Sequence, residues 1–157
     1  MTGSGPLTEP AGLEVHNVHP SRQLDEGLVR AVVEAVCRGE GATVASLNVV
    51  LGDHGMVHEL NREWLGHDYP TDVVSFVLDE EAQGRGVLDG EVYVDVDTAA
   101  ERAPDFDATL EHEALRYVAH GVLHLVGYDD ATGDQRAEMR ALEDRYLAAA
   151  LPAGGGG

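Results

Sequence analysis

The stretch that decides how this chain folds is residues 120–130, His120-Gly-Val-Leu-His124-Leu-Val-Gly127-Tyr-Asp129-Asp130. Upstream of it, apolar residues recur at helical spacing, which predicts one helix from Asp107 to Val126. His120 and His124 stand one turn apart on that helix, so their rings point in the same direction. A helix presents two imidazoles to one metal ion by this spacing.

Gly127 comes three residues after the second histidine, and a glycine there can adopt a positive φ and end the helix. The returning chain carries Asp129 and Asp130 toward the imidazoles. Three protein ligands leave one position of a tetrahedral zinc for water, which is the arrangement of a catalytic site. The alternative is a plain polar helix face followed by an ordinary helix stop, since histidines at this spacing often bind nothing.

Two further segments accompany this stretch. Residues 61–76 read Asn-Arg-Glu-Trp-Leu-Gly-His-Asp-Tyr-Pro-Thr-Asp-Val-Val-Ser-Phe, and residues 90–94 read Gly-Glu-Val-Tyr-Val. They resemble N-x2-[YFW]-x-G-x-D-x-P-T-D-V-L-S-F and G-[DE]-I-x-I of the YbeY family, bacterial endoribonucleases of ribosomal RNA maturation. The first stretch resembles that family's signature H-G-x-L-H-L-x-G-Y-D-H. The resemblance spans about residues 13–150.

The resemblance implies a zinc-dependent, single-strand-specific endoribonuclease that matures the 3′ end of 16S rRNA and takes part in ribosome quality control. It implies one zinc ion per chain, held by His120, His124 and Asp130, with a water molecule bound to the zinc. Asp130 stands where the family has a third histidine, and Leu65 stands where many members carry an arginine. The implied partners are single-stranded RNA, the rRNA of the ribosome and ribosomal proteins, with neither DNA nor a membrane.

Four other residues are candidates to support the chemistry. Arg116 precedes the first histidine by one turn and either reaches a phosphate or pairs with Glu113 on the same helix. Asp72 and Ser75 lie near the site if the family fold holds; otherwise they are a turn cap and an ordinary strand residue. Asp129 is a candidate acceptor for a histidine N–H.

Two alternative functions remain open from the sequence. One is a metal hydrolase of another substrate, such as a peptide, although Gly121 occupies the position of the glutamate base in the peptidase motif H-E-x-x-H. The other is a ribosome assembly factor that holds a structural metal and turns nothing over.

The charge of the chain limits how it can meet RNA. Arg and Lys together number 10 against 29 Asp and Glu, for a formal net charge of −19, and every basic residue is arginine. This composition fits a cytoplasm at high salt, or a genome whose base composition replaces lysine with arginine. In both cases it argues against non-specific nucleic-acid binding, so an RNA enzyme of this kind needs local arginines and a metal to hold phosphate.

The pattern along the chain predicts an α+β fold in a single metal-dependent endoribonuclease domain over residues 13–151, a four-stranded mixed sheet covered by about five helices. Residues 1–12 and 152–157 are expected to be disordered tails. No apolar run is long enough to form a transmembrane helix, and no secretory signal is evident, so we expect a cytoplasmic protein. The predicted strands cover 13–18, 43–51, 73–78 and 90–96; the predicted helices cover 24–38, 53–65, a short segment from 98, 107–126 and 134–151.

Several local expectations complete the prediction. Val57, Leu60 and Trp64 should face the core, and residues 79–89 should form a flexible acidic loop. Residues 66–72 should form a turn. The remaining histidines are expected at the surface: His16, His19, His54, His58, His67 and His112.

Overall fold

A computed structural model of the chain describes residues 12–65 and 72–151. The elements follow in the order β1 (Leu13–Asn17), α1 (Glu26–Glu40), β2 (Thr43–Gly52), α2 (His54–Leu65), β3 (Val73–Val77), α3 (Glu80–Gly84), β4 (Val87–Asp95), α4 (Val96–Arg102), a 3₁₀ turn (Ala103–Phe106), α5 (Leu110–Val126) and α6 (Gly133–Ala150). The predicted α+β class with a four-stranded mixed sheet is confirmed, with six α-helices in these ranges.

The four strands form one sheet in the order β1-β2-β4-β3. β1, β2 and β4 run parallel, and β3 pairs antiparallel with β4 at one edge. Alternate residues of the two central strands are buried, because side chains of a strand point to opposite faces. These buried residues are Leu47, Val49 and Leu51 on β2 and Leu88, Val92 and Val94 on β4. One face of the sheet is therefore the apolar floor of the core.

Helix α5 lies at the centre of the fold and packs against β3, β4, α1, α4 and α6. Its apolar residues include Ala114, Leu115, Val118, Val122 and Leu125, all nearly or fully buried. Burying each of the larger side chains contributes about 1.5–3 kcal/mol. The site-bearing helix is thus fixed by neighbours on several sides.

The predicted start of this helix at Asp107 is wrong. Residues 103–106 form a 3₁₀ turn, Asp107 has a φ of 55°, and the helix begins at Leu110 with Thr109 as its N-cap. The Thr109 hydroxyl accepts from the N–H of His112 at 3.0 Å. A threonine cap satisfies a helix N–H that would otherwise lack a partner, so the cap outweighs the helical spacing of the residues before it.

Two other local predictions are wrong. Residues 79–89 are not a loop: Asp79 caps α3, and β4 begins at Val87. Trp64 does not face the core, because its side chain is 71% exposed, whereas Val57 on the same helix is fully buried. Helical periodicity finds the buried stripe but not its width, which the neighbouring elements decide.

The histidines also divide differently from the prediction. His19 is buried, and its Nε2 lies 2.8 Å from Asp97. His54 is half-exposed and lies 2.6 Å from the fully buried Asp95. His67, most of the predicted turn at 66–72 and most of the predicted tails at 1–12 and 152–157 lie outside the described residues. The predicted extent of the domain stays a prediction. No helix in the described ranges is long and apolar enough to cross a bilayer.

We expect the stability of this fold to depend on salt. Ten arginines cannot neutralise 29 carboxylates, so repulsion among the acids should destabilise the folded chain in dilute buffer and be screened in molar KCl. A gain of 1–2 kcal/mol would raise the melting temperature by about 2–8 °C. Thermal melts across KCl concentrations, with sucrose as an uncharged control, measure the effect. A melting temperature independent of KCl would leave genome composition as the explanation.

Candidate metal centre

Two histidines of α5 and the turn that follows form a cluster at one end of the helix. His120 and His124 are half-buried, with 20% and 28% of their side chains exposed. Gly127 ends the helix with a φ of 128°, and its N–H donates to the carbonyls of Leu123 and His124. The chain then reverses and brings Asp130 back to the histidines, as predicted from the glycine.

The donor atoms of the three side chains converge. His120 Nε2 lies 3.1 Å from His124 Nε2, and Asp130 Oδ2 lies 3.2 Å from His120 Nε2. Asp130 Oδ1 lies 3.6 Å from His124 Nε2. The ligand atoms of these three residues lie close enough together to bind one metal ion.

The hydrogen bonds of the two Nδ1 atoms determine that the two Nε2 atoms are the ones able to bind a metal. His124 Nδ1 lies 2.9 Å from the carbonyl oxygen of Tyr128. A carbonyl only accepts, so Nδ1 carries the proton and Nε2 of a neutral ring has a free lone pair. His120 Nδ1 lies 2.7 Å from Glu143 Oε2 and donates to that carboxylate in the same way. Both Nε2 lone pairs therefore face Asp130, which is the orientation that metal-binding histidines require.

The spacing fits a small transition-metal ion. Zinc bonds to nitrogen or oxygen are about 2.0–2.2 Å long, so tetrahedral ligand atoms stand about 3.3 Å apart. The observed separations of 3.1, 3.2 and 3.6 Å bracket that value. Two lone pairs and a carboxylate at such distances repel one another unless a cation or a proton lies among them. Two imidazoles and a carboxylate suit zinc and also harder ions such as manganese.

The electrostatics of His120 point the same way. Burial lowers the pKa of this imidazole, but the hydrogen bond to Glu143 and the charges of Glu143, Asp130 and Asp72 raise it by more, so the net pKa is raised. The carboxylates that stabilise an added proton here also stabilise a metal cation.

Glu143 is the residue that the sequence analysis missed. It lies on α6 and is 5% exposed, a rare state for a glutamate unless it is paired. His120 contacts one of its oxygens, and Arg116 donates to the other at 3.0 Å. The available signal was a carboxylate at position 143 on the inner face of a helix that also buries Met139 and Tyr146.

The ion-pair partners of Arg116 differ from the expected Glu113, whereas its contact with a phosphate stays a prediction. Arg116 donates to Glu143 and, at 2.7 Å, to Asp144, and only 12% of its side chain is exposed. These partners lie on α6 rather than at Glu113 on its own helix. Arg116 thus neutralises the buried glutamate that orients His120.

The other predicted supporting residues occupy three different places. Asp72 lines the cleft beside the histidines, and burial raises its pKa although His120 and Arg102 act to lower it. The Ser75 hydroxyl donates to the carbonyl of Gly121 at 3.0 Å and so contacts the helix backbone. Asp129 is exposed. Its predicted role as acceptor for a histidine N–H is wrong, since the acceptors are Glu143 and the Tyr128 carbonyl.

Gly121 allows the helix to lie directly on the sheet. A Cβ at this position would stand 2.5 Å from Val92 Cγ1 and 3.1 Å from Ser75 Oγ, so no side chain fits without movement. A glutamate at this position could not reach the metal, because residue 121 faces the sheet. The packing therefore excludes the base of the H-E-x-x-H peptidases from this position.

An open cleft of about 300 Å³ adjoins the cluster. His120, Asp130 and Glu143 lie in its wall, and four of the chain's ten arginines line it: Arg102, Arg116, Arg136 and Arg140. These guanidinium groups balance the four carboxylates of the same lining, so in a chain of net charge −19 the cleft is less repulsive to an anionic ligand than the average surface.

Known proteins resemble the chain over most of its length. A family model described as Endoribonuclease YbeY matches residues 14–150. A protein of Salinibacter ruber named Endoribonuclease YbeY is 51% identical, covering 94% of this chain and 98% of its own. One of the same name from Chlorobium phaeovibrioides is 40% identical, covering 86% and 88%. The solution structure of a Thermotoga maritima protein superposes with a TM-score of 0.62 at 33% identity, covering 88% of each chain.

Asp130, and not Asp129, should be needed for metal binding. Asp130→Ala should lose the metal, because an oxygen of Asp130 lies 3.2 Å from His120 Nε2, whereas Asp129→Ala should keep most of it. Elemental analysis of both variants after zinc loading and desalting provides the measurement. An empty Asp129→Ala protein beside a filled Asp130→Ala protein would show that the ligand is the other aspartate.

Glu143→Gln should weaken zinc affinity about tenfold or more, because the residue that accepts from a metal-binding imidazole typically tunes affinity by 10–100-fold. Competition with a chromophoric chelator gives the affinity, and Glu138→Gln on the exposed face of the same helix removes one charge as the matched control. Equal affinities for the two variants would refute the role of Glu143.

Proposed function

The chain belongs to the YbeY family of endoribonucleases, and from this we propose that it cleaves single-stranded RNA at a zinc ion held by His120, His124 and Asp130. The match to the family model and the relative at 51% identity confirm the family that was predicted from three short segments. The observation that carries the proposed chemistry is the convergence of two imidazole lone pairs and a carboxylate at the edge of an arginine-lined cleft. We propose maturation of the 3′ end of 16S rRNA, ribosome quality control, contacts with ribosomal proteins and a cytoplasmic location as its setting.

The ligand residues and their supports have separate tasks. When bound, the zinc supplies a Lewis acid that polarises a phosphoryl oxygen and acidifies water. His120 and His124 hold their Nε2 lone pairs toward the site because Glu143 and the Tyr128 carbonyl accept hydrogen bonds from their Nδ1 atoms. The hydrogen bond and ion pair from Arg116 stabilise the charge of Glu143 in its buried place.

The cleft residues act on the substrate. Guanidinium groups neutralise phosphate, which an otherwise acidic surface would repel. The carboxyl group of Asp72 lies in the same cleft, where burial raises its pKa, and its position there would let it exchange a proton with a substrate oxygen. We assign proton transfer to this carboxyl group.

The two alternative functions are less well supported. A peptidase of the H-E-x-x-H kind needs a glutamate where Gly121 lies against Val92. A purely structural metal is usually enclosed by four protein ligands, whereas three ligand residues converge here beside an open cleft.

The zinc-loaded protein should cleave single-stranded RNA and leave duplex RNA, single-stranded DNA and casein intact. His120→Ala should reduce the rate at least 100-fold, because it removes a metal ligand. His112→Ala, on the first turn of the same helix, is the matched control and should cleave normally. Gel electrophoresis of end-labelled substrates measures all four reactions.

Each outcome of that assay has one meaning. Cleavage of casein without cleavage of RNA would establish the peptidase alternative. A filled metal site with no cleavage of any substrate would establish the structural-metal alternative. Equal RNA cleavage by wild type and His120→Ala would show that the activity does not belong to this site.

A further inference from the structure

An aromatic ring stands exposed at the rim of the cleft. Phe106 ends the 3₁₀ turn that precedes α5, lines the cleft and is 51% exposed. The guanidinium carbon of Arg140 lies 5.3 Å from the centre of this ring. A phenyl ring held at the surface beside an active cleft, and already paired with a cation, is suited to stacking with a planar ligand.

The backbone holds Phe106 in this place. Asp107 follows it with a φ of 55°, in the left-handed region that an aspartate enters at a cost of about 1–2 kcal/mol. The N–H of Asp107 donates to the carbonyl of Pro104, and that of Ala108 to Ala103. The turn thus fixes the backbone at Phe106, whose ring lies at the cleft.

The arginines of the cleft fall into two groups. Arg116 is bound to Glu143 and Asp144, and Arg102 lies 3.7 Å from Asp72. Arg136 and Arg140 have no carboxylate partner among residues 12–65 and 72–151, and both are exposed. They are one turn apart on α6, and Arg136 donates to the carbonyl of Ala131 beside Asp130. This pair therefore runs from the metal cluster to Phe106 with charge available for a ligand.

We propose that Phe106 and Arg140 form a stacking subsite for one unpaired nucleobase of the RNA, with Arg136 and Arg140 holding the adjoining phosphates. The inference rests on the proposed function, since it names the part of the RNA that this face of the cleft holds. Asp105 and Asp107 flank Phe106 in the chain and disfavour a phosphate at the ring, so the ring takes the uncharged base.

The subsite supplies a physical reason for single-strand specificity. A base can stack on a protein ring only when it is free of its own helix, as in loops, bulges and ends. A duplex keeps its bases paired and cannot reach Phe106 without paying the cost of unstacking.

Kinetics on single-stranded RNA test the subsite first. Phe106→Ala and Arg140→Gln should each raise KM about 5- to 100-fold, the effect of losing one stacked base, with kcat little changed. Phe106→Tyr keeps the ring and should restore KM. Arg145→Gln is the matched control, because it removes the same charge from the same helix. The guanidinium carbon of Arg145 lies 5.4 Å from the centre of the Tyr146 ring, away from the metal cluster.

Fluorescence tests the subsite without relying on cleavage. Phe106→Trp in a Trp64→Phe background leaves residue 106 as the only indole of the chain. Stopped-flow mixing with a single-stranded oligoribonucleotide should quench this indole before products form. An oligonucleotide of the same length without bases keeps the phosphates and should quench far less.

The outcomes separate this inference from the proposed function. RNA cleavage by wild type, with KM unchanged in Phe106→Ala and equal quenching by both oligonucleotides, would overturn the subsite and leave the nuclease standing. Absence of cleavage would overturn the nuclease, and base-dependent quenching would then still establish the subsite. A rise in KM as large for Arg145→Gln as for Arg140→Gln would show an effect of overall charge and overturn the assignment of Arg140.

Discussion

The structure depends on the close contact between α5 and the sheet. Gly121 lets the helix backbone approach Val92 and Ser75 to a distance that a Cβ could not tolerate. The helix is consequently enclosed by two strands and three helices, which leaves one polar face to carry function. Because a packed helix cannot rotate without breaking its apolar contacts, His120 and His124 are held at fixed positions before any ligand arrives.

Electrostatics then separate this face from the rest of the surface. A net charge of −19 disfavours contact with any polyanion. Around the cleft the charges are balanced, because four arginines gather there with four carboxylates. Part of that charge is used internally, where Arg116 stabilises Glu143, and part faces outward through Arg136 and Arg140. This division allows one cleft to orient a metal ligand and to attract phosphate.

The sequence predicted those features of the site that depend on the spacing of residues close together in the chain. The two histidines, the glycine that ends the helix and the aspartate that returns can all be found within eleven consecutive residues. Glu143 lies 23 residues from His120, and its role depends on how α6 docks, which no local pattern encodes. The exposure of Trp64 and the capping of α5 by Thr109 were missed for related reasons: the neighbours of a helix decide its buried width, and a single capping hydrogen bond decides its start.

The central claim is that two imidazoles and one carboxylate hold the metal. An X-ray absorption spectrum at the zinc edge of the zinc-loaded protein counts the imidazoles directly. We expect two imidazoles with oxygen donors completing the set, and three imidazoles in the Asp130→His variant. A spectrum of the wild-type protein with no imidazole, or one unchanged by Asp130→His, would contradict this claim.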